Sequence, residues 1–557
     1  MKEFYTDVFV HKGSVQHHYV DSEGNRQRRK EKFEPQLGIT TRKNTGWKGI
    51  KGENLGLIDF QSIWEMNEWK KENRHAELYN DVQPEYQFIS KTYPDQIDFD
   101  FKKIKIYILD IEVYSKAWDP EHRVKMKSGQ ALTVKKLKTL DDSEKVWDET
   151  NDAWVKPSKS CYITSGGFPE ASKAEHPVTA ISLYDYHSDK VIVFGSGDFE
   201  VPNDSVEYIN SENEDGLIYK FLDFFHQNPP DILSGWNTEG FDIPYMVNRI
   251  KRLFSQNDVN KLSPYNTVRE YTIDKNNDTK GYKLLGIQHL DYLNLYKKFS
   301  YKQMERYSLD FISRAELGDS KIDYHSEYDN LADLYEKNYQ LYLEYNVKDT
   351  ELVKKIDERK QFFQTVCTLA YMTKTRYEDT MGTVKIWDIQ IYNELLKQKK
   401  LVPPSKNNDR SDFLGGYVQT PIPGKKKFLA VFDIASSYPN QIISYGMSPE
   451  NVVSSDKMTD EMKKIRQASR PVESESGPLM ANDIFLNEKF LEKVKPILKK
   501  ENVTLACNGE FFKKGIGFLP QIYSDVYNMR KTKKKEAAII HQELNSLKEE
   551  LKKLKNK

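Results

Sequence analysis

Residues 103–113, KIKIYILDIEV, form an apolar, β-branched run that predicts a buried strand with two acids near its end. Side chains alternate between the two faces of a strand, so Asp110 and Glu112 share one face. Two carboxylates on an otherwise apolar strand are costly unless a charge compensates them, and such oxygen ligands suit Mg²⁺ or Mn²⁺. The alternative is a strand end where both acids meet water, which is favoured for an isolated pair.

Two later segments each contribute one more acid. In residues 231–249, DILSGWNTEGFDIPYMVNR, Asp242 follows a tight turn and precedes a helical run. Taken alone, this aspartate is better explained as a helix N-cap. In residues 341–353, LYLEYNVKDTELV, Tyr345 and Asp349 are four residues apart and share a face of a predicted helix. The alternative there is an ordinary surface aspartate on an amphipathic helix.

The order of the four acids carries more weight than any one of them. A DxE strand, an aspartate after a Trp-Asn pair and a Tyr-x-x-x-Asp helix resemble the DEDD-type 3′→5′ exonucleases. The resemblance implies that Asp110, Glu112, Asp242 and Asp349 are catalytic and hold two divalent ions, Mg²⁺ or Mn²⁺, at the scissile phosphate. It also implies that Tyr345 orients the attacking water.

One further acid, Asp291, lies in residues 289–299, HLDYLNLYKKF, on a predicted strand. Support of the metal site and a purely structural role are equally compatible with this position.

A second signature occupies residues 431–443, VFDIASSYPNQII. It resembles the first palm motif of the family B DNA polymerases, DxxSLYP, with Ser437 in the leucine position. The resemblance implies that Asp433 binds metal ions and that Tyr438 lies under the deoxyribose, where it excludes a 2′-hydroxyl. It also implies that the backbone near Ser436 and Ser437 binds the nucleotide triphosphate.

Several other segments are similar to the replicative family B polymerases of T-even-like phages: MKEFY, GWNTEGFDIPY, LDYLNLYKKF and the LGGYV of residues 414–418. This resemblance implies that primer–template DNA, single-stranded DNA and dNTPs are ligands. It also implies action in the cytoplasm of an infected bacterial host, without a membrane. Residues 114–167 depart from the family pattern and are interpreted as an insertion.

Two motifs that the family needs for synthesis do not occur in the sequence. They are a fingers helix of the type KxxxNSxYG and a second palm motif, DTDS, whose acid completes the polymerase metal site. Residues 543–550, ELNSLKEE, have Lys548 where the fingers motif has tyrosine. We therefore expect no polymerisation by this chain alone. A second polypeptide would carry the remaining palm, fingers and thumb, and contact with a sliding clamp would pass through it.

The last residues predict one long helix. By resemblance Arg530 and Lys534 bind the triphosphate, although a solvated lysine run explains them equally well. Apolar residues repeat at alternating spacings of four and three, which is typical of a coiled-coil seam. The members of this leucine seam are Ile540, Leu544, Leu547, Leu551 and Leu554. A return helix from the second polypeptide would cover the seam.

The expected fold class is a multidomain α/β protein. It would combine a β-rich N-terminal domain, an RNase H-like exonuclease domain with a mixed sheet, a partial palm with a strand at 428–434, and one fingers helix. The expected boundaries are 1–103 for the N-terminal domain, 104–361 for the exonuclease, 362–404 for a helical return to the N-terminal domain, 405–516 for the palm and 517–557 for the fingers helix.

Composition neither supports nor excludes this function. The 557 residues contain 84 Lys and Arg against 84 Asp and Glu, so the total charge gives no support for DNA binding. Three dispersed cysteines exclude a disulfide framework and fit a reducing cytoplasm. Three alternatives stay open: a stand-alone exonuclease, a non-catalytic nucleic-acid-binding regulator, and a truncated sequence.

Overall fold

The structure of the chain is a computed structural model that describes residues 2–114, 124–125, 146–148, 153–155, 169–274, 279–328, 330–405, 420–469, 472–474, 477–480, 488–506, 508–515 and 517–555. The glycine-rich segment 414–418 lies outside the described residues. The interpreted insertion at 114–167 also lies outside them, apart from Tyr114 and three short strands. The chain divides into two compact units, the first comprising Met1–Lys32 with Phe88–Ile386 and the second Phe33–Gln87 with Trp387–Lys557.

The strands are β1 (Phe4–His11), β2 (Ser14–Val20), β3 (Arg26–Glu31), β4 (Gln36–Thr40), β5 (Trp47–Lys48), β6 (Asn54–Asp59), β7 (Ile106–Val113), β8 (Val124–Lys125), β9 (Val146–Asp148), β10 (Ala153–Val155), β11 (Val178–Asp185), β12 (Lys190–Gly195), β13 (Val206–Asn210), β14 (Ile232–Ser234), β15 (Val268–Asp274), β16 (Thr279–Leu284), β17 (Gln288–His289), β18 (Val472–Ser474), β19 (Gly477–Met480), β20 (Val503–Leu505) and β21 (Phe511–Lys513).

The α-helices are α1 (Ile63–Glu72), α2 (Pro84–Thr92), α3 (Glu214–Gln227), α4 (Asp242–Leu253), α5 (Gln256–Asn260), α6 (Tyr292–Phe299), α7 (Leu309–Leu317), α8 (Leu331–Lys337), α9 (Tyr339–Lys360), α10 (Phe362–Thr373), α11 (Val384–Lys397), α12 (Ser437–Tyr445), α13 (Asp460–Ser469), α14 (Glu488–Lys500) and α15 (Phe518–Lys555). In the part of the chain that the structure describes, no helix is both long and apolar enough to cross a membrane.

A six-stranded sheet forms the centre of the first unit, with the order β13-β12-β11-β7-β14-β17. Strand β7 pairs antiparallel with β11 and parallel with β14, so the sheet is mixed, as the sequence predicted. The run KIKIYILDIEV forms this interior strand because its β-branched residues pack well on both faces of a buried sheet.

The two faces of β7 carry different chemistry. Leu109 and Ile111 belong to a hydrophobic core that also contains Leu217 and Phe221 of α3. Helix α9 contacts β7 and β11, and its Asn346 donates a hydrogen bond to Asp110. The alternation of strand side chains therefore directs the two acids of β7 to the face that α9 covers.

The second unit contains a sheet of order β4-β6-β5, helix α15 and helix α11 from Trp387 onward. Leu395 of α11 and Phe518 and Ile522 of α15 share a small hydrophobic core. The sequence predicted one long C-terminal helix, and α15 confirms it. The four leucines of the leucine seam are exposed on this helix.

The strand predicted at residues 428–434 is wrong, because this run has no strand structure and pairs with none of the described residues. Its apolar side chains face solvent, with Phe428 102% and Phe432 94% exposed. A strand requires a neighbouring backbone to satisfy its N–H and C=O groups, and a local apolar pattern does not supply that neighbour.

Gly235 allows close packing between the end of β14 and β7. It has a φ of 157°, and a Cβ added there would lie 2.2 Å from the carbonyl oxygen of Leu109. Gly318, at the C-terminus of α7, also has a positive φ of 71° but has nothing within 4 Å of an added Cβ.

We expect Gly235→Ala to destabilise the first unit by at least about 2 kcal/mol more than Gly318→Ala, because only the former adds a clash with backbone to the backbone strain. Hydrogen exchange of the β7 amides during urea unfolding measures this difference. Equal losses in the two variants would contradict the packing described for Gly235.

Candidate metal centre

Three acids converge where β7 and α9 meet. Asp110, Glu112 and Asp349 each place a carboxylate oxygen within 4.8 Å of the other two. Asp349 is only 3% exposed, whereas the two strand acids are partly exposed. Tyr345 lies one turn before Asp349 on α9 and is also buried, so the predicted helical spacing of this pair is confirmed. The structure thus brings three of the four predicted acids into one cluster.

The fourth acid, Asp242, lies beside this cluster and is not part of the group whose carboxylate oxygens lie within 4.8 Å of one another. It is the first residue of α4 and is 4% exposed. Its Oδ1 accepts a hydrogen bond of 3.1 Å from the backbone N–H of Ile111, the residue between the two acids of β7. The N-cap interpretation is wrong, because Phe241 occupies the N-cap position and Asp242 instead binds the neighbouring strand.

Asp291 is the N-cap of α6, so its predicted position on a strand is wrong. Strand β17 ends at His289, and the Asp291 carboxylate accepts the backbone N–H of Leu293 at 2.9 Å. It also accepts the N–H of Asn237 at 3.3 Å and that of Glu239 at 2.9 Å. Asp291 therefore holds the turn that leads into Asp242, which accounts structurally for its burial.

Two polar residues of the site were missed by sequence reasoning. The Lys321 ammonium contacts Oδ2 of Asp349 and donates a 3.0 Å hydrogen bond to the Tyr345 hydroxyl. Asn346 donates from Nδ2 to Oδ2 of Asp110 at 2.6 Å. Asn346 could have been found, because it lies one turn before Asp349 on the same helix. Lys321 follows α7 in irregular chain without periodicity, so no sequence signal marked it.

Burial dominates the electrostatics of the site, and repulsion between the acids adds to it at the two acids of β7. Withdrawal from water raises the pKa of Asp110, and the charges of Asp349, Glu112 and Asp242 raise it further. Burial and the charges of Asp349 and Asp242 raise the pKa of Glu112 to about 8. Burial raises the pKa of Asp242 to about 7, although the N–H of Ile111 opposes the shift. Burial also raises the pKa of Asp349, against the lowering effect of Lys321.

The donor set fits divalent cations. When all four acids are ionised, the single ammonium of Lys321 cannot balance them. Oδ1 of Asp349 is buried and has no hydrogen-bond partner among the described residues. A buried carboxylate oxygen without a partner, on a side chain clustered with two further carboxylates, is in an environment that a hard cation stabilises. Asp110, Glu112 and Asp349 would hold such an ion, with Asp242 available beside them.

The residues of the palm motif form no comparable cluster. Asp433 is exposed, and no group of three potential ligands surrounds it within the described ranges. Ser436 adopts a left-handed conformation with a φ of 52° immediately before α12, which begins at Ser437. Tyr438 is 81% exposed. On α15, the predicted triphosphate ligands Arg530 and Lys534 are both exposed.

Comparison with known proteins gives two family matches. Residues 156–312 match the exonuclease domain of DNA polymerase family B, and residues 385–553 match DNA polymerase family B itself. The DNA-directed DNA polymerase of Escherichia phage RB69 is 30% identical over 488 residues, which are 82% of this chain and 48% of the relative. That of Enterobacteria phage T4 is 27% identical over 482 residues, 81% of this chain and 48% of the relative. The chain belongs to DNA polymerase family B.

A more distant relative is also a DNA polymerase. The DNA polymerase delta catalytic subunit of Plasmodium falciparum is 24% identical over 379 residues, covering 62% of this chain and 34% of the relative. This family B chain spans about half the length of the phage polymerases it matches. The exonuclease match contains Asp242 but ends before Asp349 and begins after Glu112. The cluster of acids is therefore a geometric observation that is independent of that match.

The raised pKa values of the acids predict how the stability of the first unit depends on pH. With EDTA present, we expect its free energy of unfolding to fall as pH rises from about 5 to 8. Glu112 has a folded pKa of about 8 against an ordinary 4.5, and Asp242 about 7 against 3.8. The native state therefore binds more protons than the unfolded state in this window, and stability is lost as the pH rises through the folded pKa values.

Urea unfolding at several pH values, with EDTA or with excess Mg²⁺, measures this dependence. Mg²⁺ should reduce the loss between pH 5 and 8, and Glu112→Gln should reduce it without metal. A stability that is independent of pH across this window in EDTA would contradict the raised pKa values of Glu112 and Asp242.

Proposed function

We propose that this chain carries the 3′→5′ proofreading exonuclease of a phage replicative DNA polymerase. The observation that carries the proposal is the convergence of Asp110, Glu112 and Asp349, with Asp242 bound to the backbone between the first two. Four acids from one strand and two helices, separated widely along the chain, have no other evident reason to share a partly buried site. The substrate would be the 3′ end of a single strand frayed from primer–template DNA.

Each residue then has a definable task. Two divalent ions, Mg²⁺ or Mn²⁺, would supply a Lewis acid for the phosphate and lower the pKa of an attacking water. Tyr345 accepts a hydrogen bond from Lys321, so its own hydroxyl proton is available to orient that water. Lys321 offsets part of the charge of Asp349. The N–H of Ile111 fixes the carboxylate of Asp242.

We assign the mixed sheet of the first unit, within residues 104–361, to an RNase H-like exonuclease domain. In this assignment residues 1–103 and 362–404 form the N-terminal domain, 405–516 part of the palm and 517–557 part of the fingers. The central position of β7 between an antiparallel and a parallel neighbour supports the exonuclease assignment.

DNA synthesis would require residues outside the 557 of this sequence. Asp433 would contribute one carboxylate to the polymerase site, and Ser436, Ser437 and Tyr438 would contact the dNTP. A second carboxylate must come from elsewhere, and we propose that a second polypeptide supplies it together with contact to a sliding clamp. The exposed apolar run 428–434 and the exposed leucine seam on α15 support this proposal, because each lacks cover among the described residues.

Asp110→Asn and Asp242→Asn should each reduce degradation of a 3′-ended single strand by about 10³-fold or more, because each removes a charge that holds the metal ions. Tyr345→Phe should cost about 10- to 100-fold through loss of the water-orienting hydroxyl. Degradation of a labelled oligonucleotide with Mg²⁺ measures these effects. Asp223→Asn, an exposed aspartate of α3, is the matched control and should degrade normally. Normal cleavage by Asp110→Asn would refute the assignment.

Primer extension tests the proposed division of the polymerase site. The chain alone should extend no primer, whereas addition of a polypeptide with the second palm motif, fingers and thumb of a phage relative should restore extension. Asp433→Asn should abolish the restored extension and leave exonuclease activity unchanged. Extension by the unaided chain, or by the Asp433→Asn mixture, would contradict the proposal.

A further inference from the structure

A row of tyrosine rings continues the face of β7 beyond the metal centre. Tyr114 follows Glu112 by two residues, so strand alternation places it on the same face as the acids. Its ring centroid lies 5.6 Å from that of Tyr335 of α8, at an interplanar angle of 63°. Tyr335 lies 5.6 Å from Tyr339, the first residue of α9. We call Tyr114, Tyr335 and Tyr339 the tyrosine ledge; all three are partly exposed.

A buried fourth tyrosine connects the ledge to the metal centre. The Tyr342 ring lies 5.1 Å from that of Tyr335. Its hydroxyl is 2.5 Å from Oγ1 of Thr179, which donates a 3.1 Å hydrogen bond to the backbone carbonyl of Glu112. Burial raises the pKa of Tyr342, and the charge of Glu112 raises it further. The ledge is therefore close to the acids rather than on a remote surface.

Hydrogen bonds of the hydroxyls hold two rings of the ledge in place, those of Tyr114 and Tyr339. Tyr114 donates to the carboxylate of Glu336, a bond that raises the pKa of Tyr114 to about 12. The hydroxyl of Tyr339 accepts the backbone N–H of Ser196 at 2.8 Å. Rings that are already ordered lose little conformational freedom when a ligand stacks on them.

We propose that the tyrosine ledge stacks the unpaired bases of the DNA strand whose 3′ end enters the metal centre. This inference rests on the proposed exonuclease and adds the surface that binds the strand. Aromatic rings bind unstacked bases without regard to sequence, because every base presents a π face. That property suits an enzyme that must accept any mispaired 3′ end. The partly exposed rings beside Glu112 provide such a surface, whereas metal ions held by the acids would contact only the phosphate.

The competing explanation is that the rings only pack the junction of α8 and α9. Leucine preserves apolar volume and removes the π face, whereas phenylalanine preserves the ring. A structural role would thus tolerate Tyr335→Leu, and a stacking role would tolerate only Tyr335→Phe. Tyr219→Leu is the control, because Tyr219 is an exposed tyrosine on α3, the helix whose Leu217 and Phe221 pack against the opposite face of the sheet.

The test measures binding of a fluorescent single-stranded oligonucleotide to the full chain in EDTA, where no cleavage occurs. The same oligonucleotide with abasic residues near its 3′ end provides the second arm of a double-mutant cycle. We expect Tyr335→Leu to weaken binding of the normal strand about 5- to 100-fold and to leave binding of the abasic strand nearly unchanged. Tyr335→Phe and Tyr219→Leu should bind as the wild type does. Tyr114→Leu should repeat the effect of Tyr335→Leu.

The stacking proposal would be overturned if Tyr335→Leu and Tyr114→Leu bound with wild-type affinity. Equal losses of affinity for the normal and abasic strands would overturn it too. Degradation of the normal strand in the presence of Mg²⁺ is measured in a separate assay. Absence of degradation by the wild type would refute the proposed exonuclease, while the binding cycle would still decide whether the ledge stacks bases.

Discussion

The withdrawal of several neighbouring carboxylates from water is the constraint on which the candidate metal centre of the first unit depends. Asp110, Glu112 and Asp349 lie within one cluster, and Lys321 balances only part of their charge. A site of this kind opposes folding at neutral pH unless protons or cations enter it. Stability and function are therefore linked through the same side chains, as is common where a fold concentrates charge for catalysis.

The fold assembles this cluster from elements that are stable for other reasons. Strand β7 is held by two neighbours and by the core beneath Leu109 and Ile111, so its acids need no stabilisation of their own to be positioned. Asp242 is fixed by the backbone of that strand, and Asp291 by the turn before α4. The charged residues thus stand on a rigid apolar frame that can offset their unfavourable burial.

Features that depend on residues close in sequence could be predicted, whereas features that depend on contacts between distant residues could not. The face shared by Asp110 and Glu112, and the turn shared by Tyr345 and Asp349, depend on local periods and were predicted correctly. Asp291 was misplaced because a helix cap and a strand end look alike in a short segment. Lys321 reaches the site from irregular chain, which has no period. The strand expected at 428–434 failed because pairing depends on a neighbour that no local pattern specifies.

The most direct test of the central claim is the anomalous scattering of Mn²⁺ in crystals of this chain. We predict Mn²⁺ peaks at coordination distance from the carboxylates of Asp110, Glu112, Asp242 and Asp349, and their loss in Asp110→Asn crystals. Crystals that contain Mn²⁺ elsewhere but show no peak at these four carboxylates would contradict the account.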